Sequence, residues 1–158
     1  MNVFVSVGTH PQAFDRLLLE LDPIAKNNKN LNIFAQTGNC KYKPKNFESK
    51  NLLASKEYDK KMREANLVIS HGGAGTIINA LLKGKPLLVV PRLQKFNEHT
   101  NDHQLDLAKA LAAEGKALAV FEMKELAKKI SQAKSFKPNL ASNRPGLIKK
   151  IADFLEQT

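Results

Sequence analysis

The chain has 158 residues, 42% of them hydrophobic and only 6% aromatic, enough aliphatic material for one domain with a real core and too much for a disordered tail. Its single cysteine, Cys40, excludes an intrachain disulfide and a cysteine metal cluster and fits a cytoplasmic home. The formal charge of +10 favours an anionic partner (nucleic acid, an acidic membrane surface or a nucleotide), while no apolar run reaches the roughly 18 residues of a spanning helix.

Residues 2–7, "NVFVSV", are short, β-branched and apolar; they predict a strand rather than a signal peptide, since no basic segment precedes them. Gly8 and Thr9 follow at once. Pro11 suits a first helical turn, and Phe14, Leu17, Leu18 and Leu21 repeat at helical spacing. Residues 31–38 predict a second strand, 39–50 a polar lysine-rich loop, and 51–54 a short strand with Ser55 as N-cap of the next helix. Residues 66–70, "NLVIS", predict a buried strand, followed by a glycine-rich turn and a helix from about Ala74 through Lys83 that stops at Gly84. "PLLVVP" predicts a further buried strand, and a loop to about Thr100 leads into a helix with Leu105, Ala108, Leu111 and Ala112 inward. "KALAV" predicts a short strand, Met123, Leu126, Ala127 and Ile130 a helix, and Ile148, Ile151, Ala152 and Leu155 a last one. Strands alternating with helices predict an α/β domain spanning 1–158, an open parallel sheet with helices on both faces. In such a sheet ligands bind outside the carboxyl ends of the strands, where Gly8-Thr9, residues 70–76 and residues 91–104 all fall.

Two clusters carry chemistry. In "SHGGAGT", Gly72, Gly73 and Gly75 allow positive φ and close approach of backbone to a ligand, and the following helix aims free N–H groups at that point. Thr76 adds a hydroxyl and His71 an imidazole donor, which suits a phosphate; a tight strand-to-helix turn without a ligand accounts for the glycines equally. The lysine of a P-loop is missing, and the glycines do not follow the first strand as a dinucleotide fingerprint would. In "EHTNDHQ", Glu98, Asp102 and Gln104 suit sugar hydroxyls, or they simply cap a helix with Asn101 at the N-cap. His99 and His103 stand four apart, but the glutamate of an H-E-x-x-H metal site is absent.

Taken together, "VSVGTHPQAFDRLL", "ANLVISHGGAGTIINALLKGKPLLVVP" and "EHTNDHQLDLAKAL" resemble the C-terminal, donor-binding half of family 28 glycosyltransferases, over roughly residues 1–111. The likeness is to the small single-domain members: the catalytic subunit of the UDP-GlcNAc transferase of dolichol-linked chitobiose, and the bacterial subunits that work in pairs in polysaccharide synthesis. The resemblance implies a Rossmann-like half of a GT-B fold. It implies donor-phosphate binding by Gly8, Thr9, His71, Gly72, Gly73, Gly75 and Thr76, and sugar binding by Asp102 and Gln104, with Glu98 and His99 matching an "EH" pair. Relatives usually carry a ribose-binding glutamate where this chain has Asn79, which offers one acceptor oxygen and no charge.

The resemblance further implies a UDP-sugar donor (GlcNAc or a related hexose), a lipid-linked acceptor, no metal or other cofactor, and no nucleic-acid partner. The acceptor half then belongs to a membrane-anchored partner subunit that normally supplies the general base, and the positive charge fits a peripheral position at the cytoplasmic membrane face. His10 and His99 are the candidates for a base in this chain. Residues 143–158 are expected to form a helix docking on the partner, so that their deletion removes complex formation and spares the fold. The rivals are a nucleotide-binding subunit without catalysis, for which Asn79 argues, and a basic nucleic-acid-binding protein, which the two tyrosines and absent tryptophan equip poorly for base stacking. A sugar-nucleotide epimerase needs both Rossmann halves in one chain.

Overall fold

Runs of buried aliphatic residues form the central strands of one sheet in the computed structural model, which describes residues 1–140 together with Gly146 and Lys149. The strands are β1 (Asn2–Ser6), β2 (Asn32–Gln36), β3 (Glu48–Lys50), β4 (Leu67–Ser70), β5 (Leu87–Val89) and β6 (Leu118–Ala119). All pair in parallel, in the order β3-β2-β1-β4-β5-β6. The helices are α1 (Asp15–Asn27), α2 (Ser55–Glu64), α3 (Ala74–Leu82), α4 (His103–Ala113) and α5 (Leu126–Ala133). Parallel neighbours require crossovers, and these helices cover both faces. Alternation along the strands sorts the core into two layers. Val3, Val5, Ile69 and Leu88 pack with Leu17, Leu21 and Ile130 of α1 and α5, while Phe4, Val68 and Val89 pack with Met62, Ile77 and Leu107 of α2, α3 and α4.

The expected α/β sheet is therefore present, with local differences. The edge strand is β3, three residues earlier than the expected strand at 51–54. All of β3 is exposed and polar, so its place comes from backbone pairing to β2, a pairing that hydrophobic periodicity does not report. Leu53 is buried instead in the following loop, where its N–H donates to Gln36 Oε1 at 3.1 Å. Helix α1 begins at Asp15, so Pro11 lies in the preceding loop, and Ser55 is the first residue of α2 rather than its cap. Apart from Gly146 and Lys149, both helical, the expected helix over 143–158 lies outside the described residues.

The lysine-rich loop after β2 is held by two carboxylates of α1. Asp15 Oδ1 accepts the N–H groups of Lys41 and Tyr42 at 2.9 and 3.0 Å. Asp22, 4% exposed, accepts Tyr42 Oη at 2.6 Å, Asn46 N at 2.8 Å and Lys45 N at 3.0 Å. Burial opposes the Asp22 charge, and these donors outweigh it, so its pKa lies below the usual carboxylate value. Asp22→Asn is expected to cost about 1–3 kcal/mol in urea unfolding, because an amide cannot accept from all three donors.

Candidate functional site

Three of the loops that leave the carboxyl edge of the sheet flank its centre: residues 7–14 after β1, 71–73 after β4 and 90–102 after β5. The strand order reverses between β1 and β4, which opens the crevice where such sheets bind ligands. All three loops meet there.

The glycine turn divides its work. Only Gly72 has positive φ, +98°, and a Cβ there would fall 2.9 Å from Gln104 Cβ. Gly73 is the N-cap of α3 with an ordinary φ of −71°; a Cβ on it would overlap the His71 ring. Gly75 is exposed, and a Cβ there would meet nothing within 4 Å. Expectation and structure thus differ in mechanism: one glycine serves φ, one makes room for His71, and one leaves the first turn of α3 open. No side chain caps that helix, so its first N–H groups and positive dipole end face the crevice without an internal acceptor.

His71 lies beneath this turn, 8% exposed. Its Nδ1 donates to the Ser6 carbonyl at 3.0 Å, and a Cβ on Gly8 (φ +76°) would fall 2.5 Å from its Nε2. The ring therefore fills the space that two glycines leave. Burial is the main cause that lowers its pKa to about 4, partly offset by the Ser6 carbonyl and reinforced by the Arg92 charge. A neutral ring with its proton on Nδ1 presents a lone pair at Nε2, so His71 is a hydrogen-bond acceptor at that atom and not the donor expected from sequence. Thr76 also turns inward. Its Oγ1 lies 2.9 Å from Tyr58 Oη and 3.4 Å from Ser6 Oγ, behind the turn, which leaves its backbone as the part at the crevice. Asn79 is half-buried, one turn beyond Gly75 on the same face of α3. Thr9 is exposed, and Asn39 Nδ2 donates to the carbonyls of Thr9 and His10 at 3.3 and 3.0 Å.

The third loop brings the second cluster to the same place. Gln104 Oε1 accepts Arg92 N at 3.2 Å, and the side chain packs on Gly72, so the capping-box role for Gln104 is not realised. Asp102 is exposed, precedes α4, and accepts Gln94 N at 2.8 Å. Asp102 and not the expected Asn101 is the N-cap of α4; Asn101, one residue earlier, accepts His103 N at 3.2 Å. Glu98 is 4% exposed and turned away from solvent: Arg16 grips its carboxylate through Nε and Nη2, both at 2.8 Å, and Leu93 N donates to it at 3.0 Å. His10 and His99 stack at 4.6 Å between centroids, joining the first loop to the third. Each Nδ1 accepts a backbone N–H, from Gln12 at 3.3 Å and Asn101 at 3.4 Å, so each neutral ring carries its proton at Nε2. Burial lowers both pKa values, aided by Arg92 and, for His10, by His99.

Sequence reasoning missed Arg92, Arg16, Ser6 and Tyr58. Arg92 alone left a signal, a charge directly after the buried run "PLLVVP". Among the described residues no cluster of His, Cys, Asp or Glu is arranged to hold a metal ion, and no helix is long and apolar enough to cross a membrane.

Solved structures that share this fold include several glycosyltransferases. The glycotransferase of kitacinnamycin superposes with a TM-score of 0.65 at 20% identity, over 97% of this chain and 39% of that one. MurG of Acinetobacter baumannii gives 0.58 at 24% identity over 99% and 45%, and an NMR structure of ALG13 gives 0.64 at 18% over 95% and 94%. At these identities they show the fold. The sequence profile of the glycosyltransferase family 28 C-terminal domain matches residues 2–158, and the chain belongs to that family. It is also 38% identical over 128 residues to the human UDP-N-acetylglucosamine transferase subunit ALG13, and 36% over 127 residues to that of the mouse. These matches cover 72% and 71% of this chain, which spans about 10% of the length of either relative.

Proposed function

We propose that this chain is the donor-binding, catalytic subunit of a two-component UDP-sugar glycosyltransferase. The observation that carries the proposal is the uncapped start of α3: its open turn at Gly75 lies at the switch point of the sheet, with Gln104 packed on Gly72 beside it. Backbone N–H groups and the helix dipole there suit a diphosphate, and Asp102 and Gln104 are the groups next to it that suit hydroxyls of a hexose. The two curated relatives, named as subunits of a UDP-N-acetylglucosamine transferase, favour GlcNAc as the sugar and a partner subunit as the second component.

In the transfer, the acceptor hydroxyl oxygen attacks C1 of the sugar, and the bond from C1 to the diphosphate breaks. The electron pair goes to the leaving phosphate oxygen, where the N–H groups of the first turn of α3 stabilise the growing charge without a resident metal ion. The hydroxyl proton goes to a base from the acceptor half. His10 and His99 carry protons at Nε2 in their neutral stacked arrangement, which favours a base on the partner. That partner is proposed to be membrane-anchored and to present a lipid-linked acceptor, with this +10 chain peripheral at the cytoplasmic face.

Asn79 favours a second reading, a nucleotide-binding subunit without catalysis, because it stands on the Gly75 face as an amide. Calorimetric titration with UDP, UDP-GlcNAc, UDP-galactose and GDP tests the first. Saturable binding of the uridine compounds over GDP is expected, weakened at least tenfold in Gly75→Val at unchanged stability, since that side chain enters open space. Asn79→Glu should raise UDP affinity. Equal binding of GDP and UDP, or none with either Asn79 or Glu at that position, sinks the donor assignment. With the partner added, Gln104→Ala should lower turnover; a subunit without catalysis has no turnover to lose.

A further inference from the structure

The third loop carries Asp102 and Gln104, the first carries Gly8 and Thr9, and one side chain ties them together from below. Arg92 follows β5 and is fully buried. Its Nη2 donates to the Val7 carbonyl at the end of β1, 2.7 Å away. Its Nη1 donates to the carbonyl of Gln12 in the first loop at 2.5 Å and to that of Glu98 in the third at 2.9 Å. Its own N–H donates to Gln104 Oε1. The guanidinium also lies over the Phe14 ring, 5.2 Å from its centroid.

Two further links run parallel to this fork. Arg16, at the start of α1, holds the Glu98 carboxylate with both arms, and its Nη2 also donates to the Pro91 carbonyl at 3.1 Å. Above, the His10–His99 stack closes the same two loops. Stability alone does not explain an arginine here. Its Nε is buried with no partner among the described residues, a buried ion carries a large desolvation cost, and an apolar side chain of similar volume is often neutral or better. What an apolar side chain does not supply is a rigid fork that fixes three carbonyls from two loops and a strand end in one register.

We propose that Arg92 is a positioning residue of the transfer: it clamps the phosphate-side loop to the sugar-side loop, and through them sets the stacked His10–His99 pair at the crevice. The proposal rests on the donor-binding reading above. Its charge acts as well as its fork. Arg92 and His99 face His10; Arg92, His10 and His103 face His99; and Glu98 and Arg16 complete the charged groups beneath them. Burial is the main cause that disfavours a proton on either ring, and the Arg92 charge adds to it, ranking second at His99 and third at His10.

Histidine-resolved NMR and calorimetry on the full chain test this with Arg92→Met, Arg92→Lys and Arg16→Gln. In the parent chain the His10 and His99 signals are expected to carry the shifts of stacked rings and to titrate below about 6.5. In Arg92→Met the stacking shifts should vanish and both titrations rise. The advantage of UDP-GlcNAc over UDP should fall about tenfold or more, as misplacing a sugar-reading loop by about 1 Å implies, while UDP alone binds within a few-fold. Lysine keeps the charge without the fork, so Arg92→Lys should restore the low titrations and leave the sugar advantage lost. Arg16→Gln breaks the Glu98 link from the half-exposed side and should weaken the stacking shifts, which keeps the clamp testable if Arg92→Met does not fold. A sugar advantage retained in both Arg92→Lys and Arg16→Gln, with parent-like histidine signals, overturns the clamp. A parent chain that binds no uridine compound fails the donor reading instead, and the histidine signals of the free chain then decide the clamp by themselves.

Discussion

Gly73→Ala is expected to lower stability by about 1–3 kcal/mol and to weaken UDP binding about a hundredfold. The backbone at Gly73, φ −71° and ψ 129°, is open to any residue, so no strain of conformation enters. The whole effect is steric: the added methyl overlaps the His71 ring, which is pinned by its Nδ1 bond to the Ser6 carbonyl and roofed by Gly8. Either the ring moves and the first loop with it, or the start of α3 shifts away from the crevice. Both displace the helix terminus proposed above to hold a diphosphate. Urea unfolding and calorimetry on Gly73→Ala, His71→Ala and the double variant measure this. The double variant should be more stable than the sum of the single losses, because removing the ring removes the clash. A single variant with parent stability and parent UDP affinity refutes the account.

The second large effect is on acid stability. The unfolded chain protonates His71 near 6.5, whereas the folded protein resists protonation until about 4. Between those values the unfolded state binds more protons, so stability is complete above pH 6.5 and falls as the pH drops toward 4. The gap between 6.5 and about 4 corresponds to about 3 kcal/mol at a site buried as deeply as this one. His10 and His99, also lowered, add to the fall with the same sign. Urea unfolding at a series of pH values is expected to show this loss, and His71→Gln should remove most of the slope in the same window while being less stable at neutral pH. A parent chain with level stability from pH 7 to 4 contradicts a buried neutral His71.

Turn and helix chemistry were legible where they depend on neighbours in the chain. The run "NLVISHGGAGT" announces strand, turn and helix start, since a continuous apolar run, adjacent glycines and the following helical spacing each act over a few residues. Which glycine does what was not legible, because Gly73 answers to a ring and Gly72 to Gln104, neither of which periodicity can place. Edge strand β3 was missed for a related reason: "ESK" has no apolar face, and only the backbone of β2 recruits it.

From sequence alone followed the alternating α/β plan, the parallel sheet, the placing of the motif segments on its carboxyl edge, and the family resemblance that the family profile then established. All of these rest on local pattern, or on motifs whose spacing survives without coordinates. The tertiary structure decided the roles of the charged and aromatic side chains. Glu98, read as a sugar ligand, is gripped by Arg16, 82 residues away in sequence. His71, read as a donor, becomes an acceptor because the Ser6 carbonyl claims its Nδ1 proton. Arg92 reaches carbonyls 80 and 85 residues earlier in the chain. A side chain's proton position and hydrogen-bond partner depend on what the fold brings within about 3 Å, and for these residues the partners came from other loops.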